Sequence, residues 1–306
     1  MRNTFSETLY EEATQNPDVC IVVADISPVG SMSDFSKNYP ERFINVGVAE
    51  QSMIGICAGL ALKGLQPFAY TIATFSLYRP FEMVRDDLCY QNLPVTVVGM
   101  GAGVIYSTLG STHHTQEDIA IAGALPNMQI IAPCDPQECI DAVRYCANQK
   151  NGPVYLRIGK AGEPTFTAEA DPWEFGKIRY LRKGADVCIL TYGVIVNLAD
   201  QIASNLEAKG IHPSLVSCHT LKPLDTEGIA QLLQRYSKII VIEEHAPQGG
   251  LGPQVKQIAW DSQARCQLQT FSLKDEFIHN YGSRENLLAA HGLSENHIMA
   301  SIEKML

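Results

Sequence analysis

The chain has 306 residues, 46% of them hydrophobic and 18% charged, with a formal net charge of −10 and a pI near 5.3. Such a composition gives a globular protein with a large core and about two domains, and its acidity, with no Lys/Arg run, excludes a nucleic-acid-binding surface. No apolar signal segment opens the sequence, no stretch is long enough to span a bilayer, and the nine cysteines contain no C-x-x-C pair, so a reducing cytoplasm is expected.

Strand-length apolar runs alternate with helical patterns from the start. Helix is predicted over 4–15, then strands over Asp18–Asp25 and Arg42–Val46, then a helix over 49–63 that Gly64 caps. Strands at Pro67–Thr71, Pro94–Gly99, Met128–Ala132 and Val154–Ile158 follow, with helices at 76–91, 115–124 and 136–148 between them. From Gly159 to Gly176 the pattern breaks into Gly, Pro, Thr, Asp and Glu, which reads as a linker. A second alternation has strands near 186–192, 212–217, 238–243 and 266–271, and helices near 195–208, 225–234, 250–260 and 294–305. Nearly continuous apolar strands between helices imply parallel sheets covered on both faces. The fold class is therefore α/β, two doubly wound domains in series: 1–162, a linker at 163–178, and 179–306.

Glu50 opens a helix whose other residues are nearly all apolar (Met53, Ile54, Ile56, Cys57, Leu60, Ala61). An acid favours a helix's first turn, so a solvent-facing cap is one reading. A buried acid held protonated is the other, since burying an unpaired carboxylate is costly. Two Gly-rich stretches invite a nucleotide. Gly99-Met100-Gly101-Ala102-Gly103-Val104 lacks the third glycine of a dinucleotide fingerprint, and Gly249-Gly250-Leu251-Gly252 precedes a helix whose amides could meet a phosphate. Tight turns are the plainer role for both. His113 and Glu117 have the i, i+4 spacing of a zinc pair, but no third ligand is near in sequence, and Gly110-Ser111-Thr112 before them reads as a loop at a strand's carboxyl end. Ligands bind there in open α/β sheets, so His113 reads as a substrate donor or proton shuttle. Phe75, Tyr78 and Phe81, at i, i+3 and i+6, form either a core stripe or a platform for a planar heterocycle.

Several segments carry a common pattern. Gly47-Val48-Ala49-Glu50-Gln51 matches G-[IV]-[AR]-E-[QH], and Thr74-Phe75 and Gly110-Ser111-Thr112-His113 match a Thr-Phe element and a D-G-x-T-H-Q segment. Pro126 to Asp135 matches P-N-x-x-[VI]-x-x-P-x-D, and Glu243-Glu244-His245 with Gly249-Gly250-Leu251-Gly252 matches E-[ED]-x…G-G-L-G. Together they resemble the pyrimidine-binding and C-terminal domains of the transketolase family of thiamine-diphosphate enzymes, in order and over essentially the whole chain.

The resemblance implies a role for each matched residue. Glu50 would hydrogen-bond N1′ of the cofactor's aminopyrimidine and favour the imino form that removes the thiazolium C2 proton. Phe75 would stack on the pyrimidine, with Tyr78 and Phe81 lining it. His113 would meet substrate, as would Ser27, Ser33, Arg157 and Lys160, which lie near the family's sugar and phosphate contacts. The family's G-D-G motif, which holds Mg²⁺ and the diphosphate, does not occur in these 306 residues. The resemblance therefore implies one subunit of a split transketolase, with no metal site of its own. Its partner would be a diphosphate-binding subunit in an α2β2 heterotetramer, and its substrate a sugar or sugar phosphate. A β subunit of a 2-oxo acid dehydrogenase E1 component and a non-catalytic assembly subunit are the alternatives. Two departures bear on substrate: Gly101 stands where many members have His, and Leu109 where they have the Asp that contacts a ketose hydroxyl. An apolar side chain cannot make that bond, which shifts specificity.

Overall fold

The computed structural model describes residues 1–26, 30–167 and 171–305. The first half contributes strands β1 (Val19–Val23), β2 (Phe43–Asn45), β3 (Gln66–Ile72), β4 (Thr96–Met100), β5 (Gln129–Ile131) and β6 (Val154–Ile158). The second contributes β7 (Arg179–Arg182), β8 (Val187–Thr191), β9 (Pro213–Ser217), β10 (Thr220–Lys222), β11 (Lys238–Ile242) and β12 (Gln267–Phe271). Helices α1 (Arg2–Gln15), α2 (Ser31–Asn38), α3 (Glu50–Leu62), α4 (Ala73–Leu77), α5 (Phe81–Met83), α6 (Asp118–Gly123) and α7 (Pro136–Asn148) cover the first sheet. The second carries α8 (Val196–Ala208), α9 (Thr226–Arg235), α10 (Leu251–Asp261), α11 (Arg284–Ala290) and α12 (Glu295–Glu303).

Two α/β sheets in series result, as the alternation predicts. β1, β3, β4, β5, β6 and β8 are almost wholly buried, which is why they read as continuous apolar runs. Gly64 adopts φ +91°, and Leu65 N–H donates to the Leu60 carbonyl at 3.1 Å, closing the end of α3 as expected.

The strand order corrects the picture of two separate sheets. The first runs β10-β5-β6-β4-β3-β1-β2, with β10 antiparallel on β5, and the second runs β12-β11-β8-β9-β7. A strand from the second half thus closes the edge of the first sheet, and Lys222 Nζ reaches the Gly123 and Leu125 carbonyls at the end of α6. A cation there complements the helix dipole. The predicted helix over 76–91 is also broken. α4 stops at Leu77, α5 begins after Pro80, and a π-helical turn runs from Val84 to Tyr90, because proline disfavours helical backbone in the residue before it. Likewise the stretch 115–124 is helical only from Asp118. Sequence periodicity missed α2, α11, β7 and β10, all too short for a pattern to emerge.

One carboxylate fixes the linker. Asp135 Oδ1 accepts from Glu138 N–H at 2.9 Å and so caps α7, while Oδ2 accepts from Phe166 N–H, Thr167 N–H and the Thr167 hydroxyl at 2.8, 3.0 and 2.7 Å. Asp135→Ala removes a cap and leaves buried donors unpaired, and is expected to lower the unfolding free energy by about 3 kcal/mol in urea titration.

Candidate active site

β1 and β3 are the neighbours at which the first sheet reverses direction, since the chain leaves β1 toward β2 on one side and returns through β3 on the other. The crevice beyond their carboxyl ends is where an open α/β sheet binds ligands. Gly47, at φ +68°, turns the chain there, its N–H held by Asn45 Oδ1 at 3.0 Å, and α3 starts three residues later with Glu50. The Glu50 side chain is 7% exposed and is neither a solvent-facing cap nor an unpaired acid: its Oε1 accepts from Arg79 Nη1 at 2.8 Å. Arg79 also lies over the Phe75 ring, 4.0 Å from its centroid.

From Phe75 the contacts continue. The His113 ring meets Phe75 edge-on at 5.1 Å and Tyr106 at 5.8 Å, and Lys160 Nζ stands 4.8 Å over Tyr106. His113 ends a short 3-10 turn, with Nδ1 2.9 Å from the Thr112 hydroxyl. Burial first, and the Arg79 charge second, lower its pKa from the usual histidine range. Glu50, Arg79, Phe75, His113, Tyr106 and Lys160 thus form one row across the carboxyl ends of β2, β3, β4 and β6. His114, beside it, is buried at 3% exposure.

The two departures acquire physical meaning here. A Cβ at Gly101 would collide with Tyr106 Cε2, so the phenol ring occupies the space that a larger residue at 101 would need. The Tyr106 hydroxyl donates to Met100 Sδ at 3.1 Å, leaving its ring to the site. Leu109 is 49% exposed.

Other sequence candidates lie elsewhere. Arg157 does not face the crevice: it is 3% exposed, its Nε donates to Asp118 Oδ2 at 2.8 Å and its Nη2 to the Glu244 carbonyl at 3.2 Å. It ties the two halves together, because a buried guanidinium must direct its donors to fixed acceptors. Tyr78 is turned to Glu117, whose Oε2 accepts from its hydroxyl at 3.1 Å, and Phe81 packs on the core of the first sheet. Ser33 is exposed on α2, and Ser27 lies outside the described residues. The His113–Glu117 spacing is not helical, since Glu117 precedes α6, and the described residues contain no group of three or more potential metal-binding His, Cys, Asp or Glu.

The Gly-rich stretches receive carboxylates of this chain. Glu243 accepts from Leu251 N–H and Gly252 N–H at 2.7 and 2.8 Å, occupying the start of α10 where a phosphate would go. A Cβ at Gly250 would collide with that carboxylate. Glu244 accepts from Val104 N–H at 2.7 Å, and a Cβ at Gly103 would lie 2.5 Å from its Oε1. Sequence reasoning missed Arg79 and Tyr106. Neither stands in a recognisable motif, and only their position beside Phe75 and Gly101 would have drawn attention to them.

Known proteins share this arrangement of domains. Residues 1–162 match the transketolase pyrimidine-binding domain and residues 176–298 the transketolase C-terminal domain. Over 299 residues the chain is 34% identical to one subunit of the apulose-4-phosphate transketolase of Phocaeicola vulgatus, covering 97% of this chain and 94% of that one. It is 33% identical to the 1-deoxy-D-xylulose-5-phosphate synthase of Rippkaea orientalis over 97% of its own length but only 47% of the synthase. A solved structure titled as a split gene transketolase, inactive beta4 tetramer, superposes with a TM-score of 0.87 at 33% identity, covering 99% of this chain and 96% of that one.

Proposed function

Because the chain belongs to the transketolase family, we propose that it is the small subunit of a split transketolase, which transfers a two-carbon ketol unit between sugars or sugar phosphates. The observation that carries this is the row from Glu50 to Lys160. It puts an acid, an aromatic face, an imidazole and an ammonium in sequence along one crevice. Phe75 and Glu50 fit the pyrimidine half of thiamine diphosphate, since one planar nitrogenous group, the Arg79 guanidinium, already contacts both. The cofactor supplies the electron sink for carbanion chemistry. This chain's residues bind and orient it: Glu50 holds a proton at the pyrimidine and Phe75 supports the ring. His113 donates to the substrate oxygen on which charge develops.

Lys160, beyond Tyr106, suits a substrate phosphate, in keeping with the phosphorylated sugar in the name of the Phocaeicola relative. Ser33 is a further candidate contact. Mg²⁺ and the diphosphate are assigned to a partner subunit, because no G-D-G occurs in this sequence and a relative of about twice the length aligns over only half of itself. α3 offers an apolar face for assembly: Ile56 and Leu62 are exposed, and nothing lies within 4 Å of a Cβ at Gly55 or Gly59. An α2β2 heterotetramer is the proposed assembly. Among the described residues no helix is long and apolar enough to cross a membrane, and nine free cysteines, eight of them buried, suit a reducing cytoplasm.

The chain alone is expected to bind thiamine diphosphate poorly and to show no turnover, in line with the inactive tetramer of the split-gene relative. Calorimetry with Mg²⁺ and cofactor tests this. Micromolar binding without a partner would overturn the split-site reading.

A further inference from the structure

We propose that Arg79 is a displaceable occupant of the pyrimidine position, which the cofactor can enter only when that guanidinium swings out of it. This rests on the reading of Glu50 and Phe75 as the pyrimidine contacts. Arg79 makes both contacts that the aminopyrimidine would make. Its flat guanidinium lies 4.0 Å above the Phe75 ring and donates to Glu50 Oε1 at 2.8 Å. Two planar groups cannot share one face of one ring and one carboxyl oxygen.

The polarity of the bond also differs between the two occupants. Arginine only donates, so Glu50 accepts from it, whereas the ring nitrogen N1′ accepts and needs Glu50 to donate. Cofactor entry therefore replaces Arg79 and reverses the direction of the Glu50 hydrogen bond. Mobility is distributed accordingly. The Arg79 side chain is 48% exposed, in the break between α4 and α5, while that of Glu50 is 7% exposed at the start of α3. The arginine can turn into solvent and the acid cannot. The contacts it gives up are a half-exposed ion pair and a cation–π contact, weak enough to be displaced. As long as Arg79 stays in place, the binding-competent fraction is reduced and apparent affinity falls with it.

The test uses the full chain and the pyrimidine half of the cofactor, 4-amino-5-hydroxymethyl-2-methylpyrimidine, titrated by saturation-transfer and chemical-shift NMR. Arg79→Gln is expected to bind this probe about three- to tenfold more tightly than the wild type. Phe75→Ala should abolish binding in either background, and the Arg79 Nε–H resonance of the wild type should shift toward its solvent value as the probe saturates. Equal or weaker binding by Arg79→Gln, with the wild type binding and Phe75→Ala not, would show Arg79 to be a spectator or a ligand. That result overturns this proposal but leaves the pyrimidine position intact. Binding that survives Phe75→Ala, or no binding by any variant, would remove the position itself and the proposal with it.

Discussion

Glu50→Gln in the assembled enzyme is expected to lower kcat by about 10²–10⁴-fold, the usual loss for a positioned acid–base group, while fold and assembly persist. The side-chain amide retains the oxygen that accepts from Arg79 at 2.8 Å. An exposed or half-exposed ion pair contributes only about 0–1 kcal/mol, so thermal unfolding should move little. What the amide lacks is the proton that an acid can pass to the ring nitrogen and take back. Three measurements together check the assignment: kcat, the unfolding midpoint, and deuterium exchange of the thiazolium C2 proton followed by NMR. Near-normal C2 exchange in the variant would show that Glu50 does not hold that proton, whatever happens to kcat.

The fold was legible where burial is continuous. β1, β3, β4 and β6 are apolar along their whole length because both faces are covered, and the sequence displays that directly. β10 was not legible, because three residues cannot show a period, and its partner β5 lies about 90 positions earlier in the chain. Part of the site was legible for a related reason. Glu50 and His113 stand in local motifs whose glycines, Gly47 and Gly110, take positive φ, so the chemistry is written within a few residues. Arg157 was misread because an arginine at a strand end looks the same in sequence whether it faces a crevice or a buried Asp118. Only the fold brings in that aspartate, 39 positions away. The Gly-rich segments failed in the same way. The groups that approach Gly103 and Gly250 are Glu244 and Glu243, which no local spacing announces for Gly103.

His113→Ala is expected to reduce kcat/KM strongly, by about 10²-fold or more, with cofactor affinity little changed. His113 borders Phe75 on one side and Tyr106 on the other, so it lies between the proposed pyrimidine position and the Lys160 end of the crevice. An imidazole there donates to a substrate oxygen without holding the cofactor. His114 should behave differently because it is buried at 3% exposure, its pKa lowered first by that burial. His114→Ala should therefore cost about 1–2 kcal/mol of stability and leave the kinetic constants nearly intact.

The pH profile separates the two further. Since burial and the Arg79 charge both disfavour the protonated His113 ring, its acid limb in kcat/KM should lie below the ordinary histidine midpoint of about 6.5. Removing the charge by Arg79→Gln should move that limb upward, toward the ordinary value. His114→Ala should not move it. If the kinetic ranking of the two histidine variants is reversed, or if His113→Ala weakens thiamine diphosphate binding, then the imidazole that serves the substrate is not His113 and the crevice must be read from His114 outward.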